Sequence, residues 1–292
     1  MINTLLSEYK ALVENRINEL FPEKNVGYYA VIDAARYSLL LGGKRIRPAI
    51  VFEFCRLLGG DMSVATDFSV ALEMIHTYSL IHDDLPCMDD DDMRRGKPSC
   101  HKKYGEDIAL LAGDTLLTKA FYILSKADVS PEVSVKAIEL LADFAGENGM
   151  IGGQVLDLSF EENRPTAEQL TDMCNKKTGA LICCSASLGV LASKNVTEQN
   201  LANAQLFGQK LGLSFQIIDD ILDCTADEKA LGKPIGSDRR NGKTTFVTLY
   251  GIEQSRALAK KLTNEAMNIL DEFDGDTESL KQLTAYLLDR NY

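Results

Sequence analysis

Asp83, Asp84, Asp89, Asp90, Asp91 and Asp92 put six carboxylates within ten positions, with Arg94, Arg95 and Lys97 directly behind them. Far downstream the stretch FQIIDDILD, residues 215–223, carries a second group, Asp219, Asp220 and Asp223. One acidic run alone reads as a solvated surface. Two such runs, each ending an apolar helix, read differently: facing each other, they make a cage for hard cations. Mg²⁺ takes few protein carboxylates and completes its shell with water and phosphate oxygens. Asp83, Asp84 and Asp89 opposite Asp219, Asp220 and Asp223 could hold two or three such ions. The ligand implied is an anion that bridges the metals, and a diphosphate fits. Arg94 and Arg95 as planar forks, and Lys177, Lys233 and Lys243 as point charges, would take its remaining oxygens.

A second anion pocket is expected at Gly42-Gly43-Lys44-Arg45-Ile46-Arg47-Pro48, which has no carboxylates of its own. Pro48 is placed to open a helix, and basic residues just before a helix N-terminus attract anions. His76 lies two turns before Asp83 and could face this pocket; a hydrogen-bonded core histidine is the competing reading.

The elements that must position these groups read as helices. Val64, Phe68, Leu72, Ile75 and Ser79 recur every three or four residues, so a helix leads up to Asp83. Pro86 disrupts it, having no N–H and clashing with the preceding turn. Ala204, Phe207, Leu211, Phe215, Ile218 and Leu222 mark the second Asp-rich helix, about 199–223, with Asp219 and Asp223 neighbours on one face. Further helices are expected near 3–20, 29–41, 49–58, 108–124, 131–146, 167–192, 245–273 and 277–288. The paired glycines of GMIGGQVLDL, 149–158, cost helix stability unless something packs against them. No convincing strand alternation, strong repeat or long linker appears. The expected fold is all-α, one domain over residues 1–292, a large bundle of about ten helices around a central cavity.

Composition bounds the partners. A net charge of −12 argues against nucleic acid. An apolar content of 45% is enough for a sizeable core. Seven cysteines with no CxxC pair, several at apolar helical positions, suggest buried thiols in a reducing cytosol. The N-terminal stretch has charges throughout and no signal-peptide core. The longest nearly apolar run, 180–193, is too short to span a bilayer, so no membrane partner and a cytoplasmic location are expected. Neither a GxxxxGK[ST] loop, a Rossmann glycine pattern nor a GxSxG elbow is present. A metal–diphosphate cage over an apolar bundle suggests chemistry that starts by pulling diphosphate off a hydrocarbon chain.

Six segments together are specific: GGKRIRP at 42–48, HDDLPCMDDDDMRRGKP at 82–98, GGQVLDL at 152–158, KTGAL at 177–181, FQIIDDILD at 215–223 and LGKPIGSD at 231–238. Through them the chain resembles the trans-prenyl diphosphate synthases, most closely the bacterial farnesyl type, nearly end to end. The resemblance implies that Asp83, Asp84 and Asp89 hold two Mg²⁺ ions on an allylic diphosphate, and that Asp219, with Asp223 near it, holds a third. It implies that Arg94, Lys177, Thr178, Gln216, Lys233 and Lys243 bind that diphosphate, and that Lys44, Arg47, His76 and Arg95 bind isopentenyl diphosphate. No side-chain general base is then needed, because the departing pyrophosphate takes the proton. A homodimer is also implied.

In that family a bulky residue five positions before the first motif is associated with stopping at fifteen carbons, and here it is Tyr78. Five residues turn a helix by roughly 140°, so Ser79 is better aligned with Asp83. Farnesyl therefore rests on the resemblance, with geranylgeranyl as the rival product. A non-catalytic partner subunit would be expected to have a damaged aspartate motif. A metal phosphohydrolase, suggested by the His82-Asp83 pair, would need further histidines, and a terpene cyclase would lack the second diphosphate pocket.

Overall fold

Residues 2–225 and 243–288 are described by the computed structural model. The chain opens with α1 (Ile2–Leu20), α2 (Tyr29–Leu39), α3 (Ile46–Leu57) and α4 (Met62–Asp83). The Asp61 side chain accepts the Ser63 N–H at 2.8 Å and so caps the start of α4. The helix ends at Asp83, three residues before Pro86, as the missing proline donor requires. Its apolar stripe faces inward, with Phe68, Leu72 and Ile75 fully buried. Each such side chain contributes about 1.5–3 kcal/mol on burial.

A short hairpin, β1 (Met93–Arg94) with β2 (Lys97–Pro98), follows the acidic loop. The sequence gives no alternation from which to expect it, since each strand is two residues long. Arg95 (φ 53°) and Gly96 (φ 74°) form its tight turn, both in the left-handed region that two-residue hairpin turns require. Then come α5 (Cys100–Tyr104), α6 (Glu106–Leu124), α7 (Pro131–Ala145) and α8 (Met150–Glu162).

A single helix was the expectation over 167–192. The structure instead divides it into α9 (Ala167–Cys174), a π turn over Asn175–Gly179, and α10 (Ala180–Leu191). The reason is packing: α8 lies so close that a Cβ on Gly153 would stand 2.1 Å from the Lys177 backbone nitrogen. The wider turn absorbs one extra residue, a local distortion common at functional sites. Next is α11 (Glu198–Thr225), then α12 (Phe246–Tyr250), α13 (Ile252–Leu270) and α14 (Glu278–Leu288).

Helices α4, α6, α3, α10 and α11 pack against one another around the main core, and α13 covers the outside of α11. The all-α bundle expected from periodicity is what forms. The small residues of α10 serve close packing: a Cβ on Gly208 of α11 would come within 2.5 Å of the Cys183 Cα. Cys55, Cys100, Cys174, Cys183 and Cys184 are buried, as small hydrophobes. Among the described residues, no helix is long and apolar enough to cross a membrane.

Candidate active site

Asp83 sits at the C-terminal end of α4, on the edge of a cavity of about 570 Å³. The cavity walls are apolar, from Leu117 of α6, Met150, Ile151, Val155 and Leu158 of α8, and Leu181 of α10. Its polar lining includes Arg47, His76, Asp83, Gln154, Lys177 and Thr178. Lys177 and Thr178 also border a smaller space of about 140 Å³ with Asp157, Gln216, Asp220 and Lys243. Of the acidic end of α11, Asp220 borders the smaller space, and Asp219 and Asp223 line neither; Lys177 and Thr178 of the π turn line both spaces. Arg47, which lines the same cavity as Asp83, lies within electrostatic reach of Asp219.

Burial raises the Asp83 carboxyl to about 6, with Asp89 adding to the rise and the Lys177 and Arg94 charges opposing it. Gln154 of α8 donates a hydrogen bond to Asp83 and fixes its direction. The exposed Asp89 is held beside it, its N–H donating to the Asp83 carbonyl at 2.9 Å. Asp84 behaves differently. It is 2% exposed and forked by Arg94, whose Nε lies 3.0 and 3.1 Å from the two carboxylate oxygens. Burial alone would lower the Arg94 pKa, but the Asp84 hydrogen bonds and charge outweigh it and raise it.

On the opposite helix Asp219 and Asp223 are half-buried. Asp220 is buried, accepting from Gln216 Nε2 at 2.9 Å and from the Phe246 N–H at 3.0 Å, which ties α11 to α12. Gln216 in turn accepts from the Thr178 hydroxyl at 2.9 Å. Lys177 reaches Asp157 at 2.6 Å and Lys243 reaches the same oxygen at 3.3 Å. Burial works to raise Asp157, yet those two ammonium groups hold it below its ordinary value. Lys233, Arg239, Arg240 and the stretch 231–238 lie outside the described residues.

Arg47 Nη1 lies 3.4 Å from His76 Nε2. Burial, then the charges of Arg47, Arg95, Arg45 and Arg94, push His76 well below its ordinary pKa, so it stays neutral at pH 7. Burial likewise lowers Arg47, against Glu73 and Asp219. Arg95 donates to the Gly42 carbonyl, and Gly43 has a φ of 109°, a backbone conformation that residues with a side chain rarely adopt, which favours glycine there. Lys44 is exposed, its Nζ 5.7 Å from the Tyr286 ring centroid. Arg45 is no part of this surface: it is buried against Glu73 and the Leu39 carbonyl.

Tyr78 and Ser79 both line the large cavity. Tyr78 is 5% exposed, and Ser79 spends its hydroxyl on the His76 carbonyl at 2.9 Å. His82 lines the same cavity as Asp83, with its Nε2 3.1 Å from the Leu110 carbonyl. Asp157 and Gln154 are absent from the sequence-based site. Their spacing in GGQVLDL, three apart and so on one helical face, was the available signal.

The donor set suits a hard cation: carboxylate oxygens beside a cavity, that of Asp83 held above its ordinary pKa by burial. The polyprenyl synthetase family model matches residues 30–287. A geranylgeranyl diphosphate synthase of Cyanophora paradoxa is 41% identical over 99% of this chain and 96% of its own length. The farnesyl diphosphate synthase of Escherichia coli K12 is 43% identical, over 89% of each. Among solved structures, a geranyltransferase of Helicobacter pylori complexed with magnesium and isoprenyl diphosphate superposes with a TM-score of 0.84. It is 36% identical and is covered over 96%, against 98% of this chain.

Proposed function

This chain belongs to the polyprenyl synthetase family, and from that premise we propose that it is a farnesyl diphosphate synthase. It would condense isopentenyl diphosphate with dimethylallyl or geranyl diphosphate. The observation that carries the reading is the cavity itself, with Asp83, Lys177 and Thr178 at one end, apolar walls, and Arg47 with His76 on its flank.

Asp83, Asp84, Asp89, Asp219 and Asp223 would hold three Mg²⁺ ions, which when bound stabilise negative charge on a departing diphosphate. Lys177, Thr178, Gln216, Arg94 and Lys243, with Lys233, would grip the allylic diphosphate. Arg94 reaches it by leaving Asp84, so both partners of the resting pair are released for their own ligands together. Lys44, Arg47, His76 and Arg95 would orient isopentenyl diphosphate. The walls from α6, α8 and α10 keep water from the allylic cation. The double bond of isopentenyl diphosphate then attacks that cation, a carbon–carbon bond forms, and pyrophosphate takes the released proton.

Fifteen carbons is the proposed limit because Tyr78 puts a buried ring on the cavity wall. The apolar side chains Leu110 and Leu111, 47% and 51% exposed on α6, support a homodimer. The buried, unbridged cysteines support a reducing, cytosolic setting. Incubation with Mg²⁺, isopentenyl diphosphate and geranyl diphosphate, followed by sizing of the products, tests the proposal. A C15 product is expected and should vanish on chelation. A C20 end product would replace it with geranylgeranyl diphosphate synthesis, and phosphate release without carbon–carbon bond formation would reject prenyl transfer.

A further inference from the structure

Three acidic-loop groups are left over once the cleft is assigned. Asp90, Asp92 and His101 bring one ligand atom each to within 4.8 Å of one another. None of the three lines either cavity. The two carboxylates are exposed, but His101 is only 6% exposed, and its Nε2 has no hydrogen-bond partner. That nitrogen points at the Asp90 carboxylate from 4.0 Å, too far for a hydrogen bond. Two donors bound to one metal ion at about 2.0–2.2 Å each stand about 3–4 Å apart.

The other ring nitrogen is already engaged. His101 Nδ1 lies 3.1 Å from the hydroxyl of the fully buried Ser99. When Nδ1 donates there, the Nε2 lone pair is what faces the carboxylates, as a metal ligand must. Asp92 has a competing cation, with Lys102 Nζ 2.8 Å from its Oδ1. The Ser99 N–H, donating to the Asp92 carbonyl at 2.9 Å, closes the loop that brings the set together.

We propose that Asp90, Asp92 and His101 form a second cation site, separate from the diphosphate cleft, for a divalent metal ion of the zinc kind. An imidazole among the donors favours such ions over Mg²⁺. The bound ion displaces Lys102 from Asp92. It also ties the acidic loop to the first turn of α5, across the base of the hairpin that presents Arg94 and Arg95.

Isothermal titration of the whole protein with ZnCl₂, in millimolar Mg²⁺, tests this. One equivalent should bind, weakened about tenfold or more in His101→Gln and in the double variant D90N/D92N. Lys102→Gln should tighten binding, because it removes the competing ammonium. Should His101→Gln fail to fold, the surface pair D90N/D92N decides the matter. Zinc binding unchanged in D90N/D92N, or lost only in Asp83→Asn, would overturn the site. Zinc binding seen only when Mg²⁺ is left out of the titration would overturn the choice of metal.

Discussion

Arg94 and Asp84 are locked together by a forked ion pair in which the carboxylate is 3% exposed and the guanidinium side 16%. One member of the pair is a proposed metal ligand and the other a proposed diphosphate clamp. Without ligand, each neutralises the other in a place where a lone charge would be costly.

Removing one partner should therefore hurt stability as well as turnover. Arg94→Gln strands a buried carboxylate, a change that costs about 3–5 kcal/mol. Adding Asp84→Asn should restore most of that stability and none of the activity. Thermal unfolding of the three variants beside a product assay would show it. Equal melting temperatures for Arg94→Gln and the native protein would mean the pair is not what holds this loop.

Asp157 positions rather than binds. Its oxygen organises Lys177 and Lys243, so Asp157→Asn should lower kcat about tenfold or more while leaving the product length unaltered. Steady-state kinetics with product sizing measure both. A variant that kept its kcat would show that the lysines find the diphosphate unaided.

Tyr78 contributes bulk, not its hydroxyl, which is buried without a hydrogen-bond partner. Tyr78→Phe should keep the chain length and leave stability unchanged or raise it by about 1 kcal/mol. Tyr78→Ala should lengthen the product. Unchanged length in the alanine variant would remove Tyr78 from the chain-length limit.

His76 makes stability depend on pH. Its folded pKa lies well below the ordinary 6.5, because of burial and then the surrounding arginines. Above pH 6.5 both folded and unfolded forms are neutral here, and the full stability is present. Below it the unfolded chain takes a proton that the folded chain refuses, so stability falls by at most about 1.4 kcal/mol per pH unit from this group. Between pH 7 and pH 5, His76→Gln should lose less stability than the native protein in urea unfolding. Parallel curves would locate the acid sensitivity elsewhere.

Gly153 makes the close approach of α8 to the π turn possible. Gly153→Ala puts a methyl where a Cβ would be 2.1 Å from the Lys177 nitrogen, so α8 or the turn must shift. Overpacking of this kind costs about 1–3 kcal/mol. Because Lys177 moves with the turn, activity should fall more than stability does. Native kinetics in this variant would show that the turn tolerates the displacement.

Most of the helices and the two acidic ends were legible from the sequence, because helical periodicity and a proline's missing donor are local properties; the expected stretch 245–273 is two helices, parted at Gly251, whose φ is 79°. Asp83 at the end of α4 followed from the helical spacing. Three things were decided only by the tertiary structure. Asp84 faces Arg94 rather than the cavity, since a hairpin ten residues on returns the guanidinium to it. The expected single helix over 167–192 breaks into a π turn, since α8 crowds Lys177 at Gly153. Asp157 becomes the hub for Lys177 and Lys243, twenty and eighty-six residues away. Each depends on which segments lie opposite each other in space, and periodicity along one chain fixes a face without naming what will cover it.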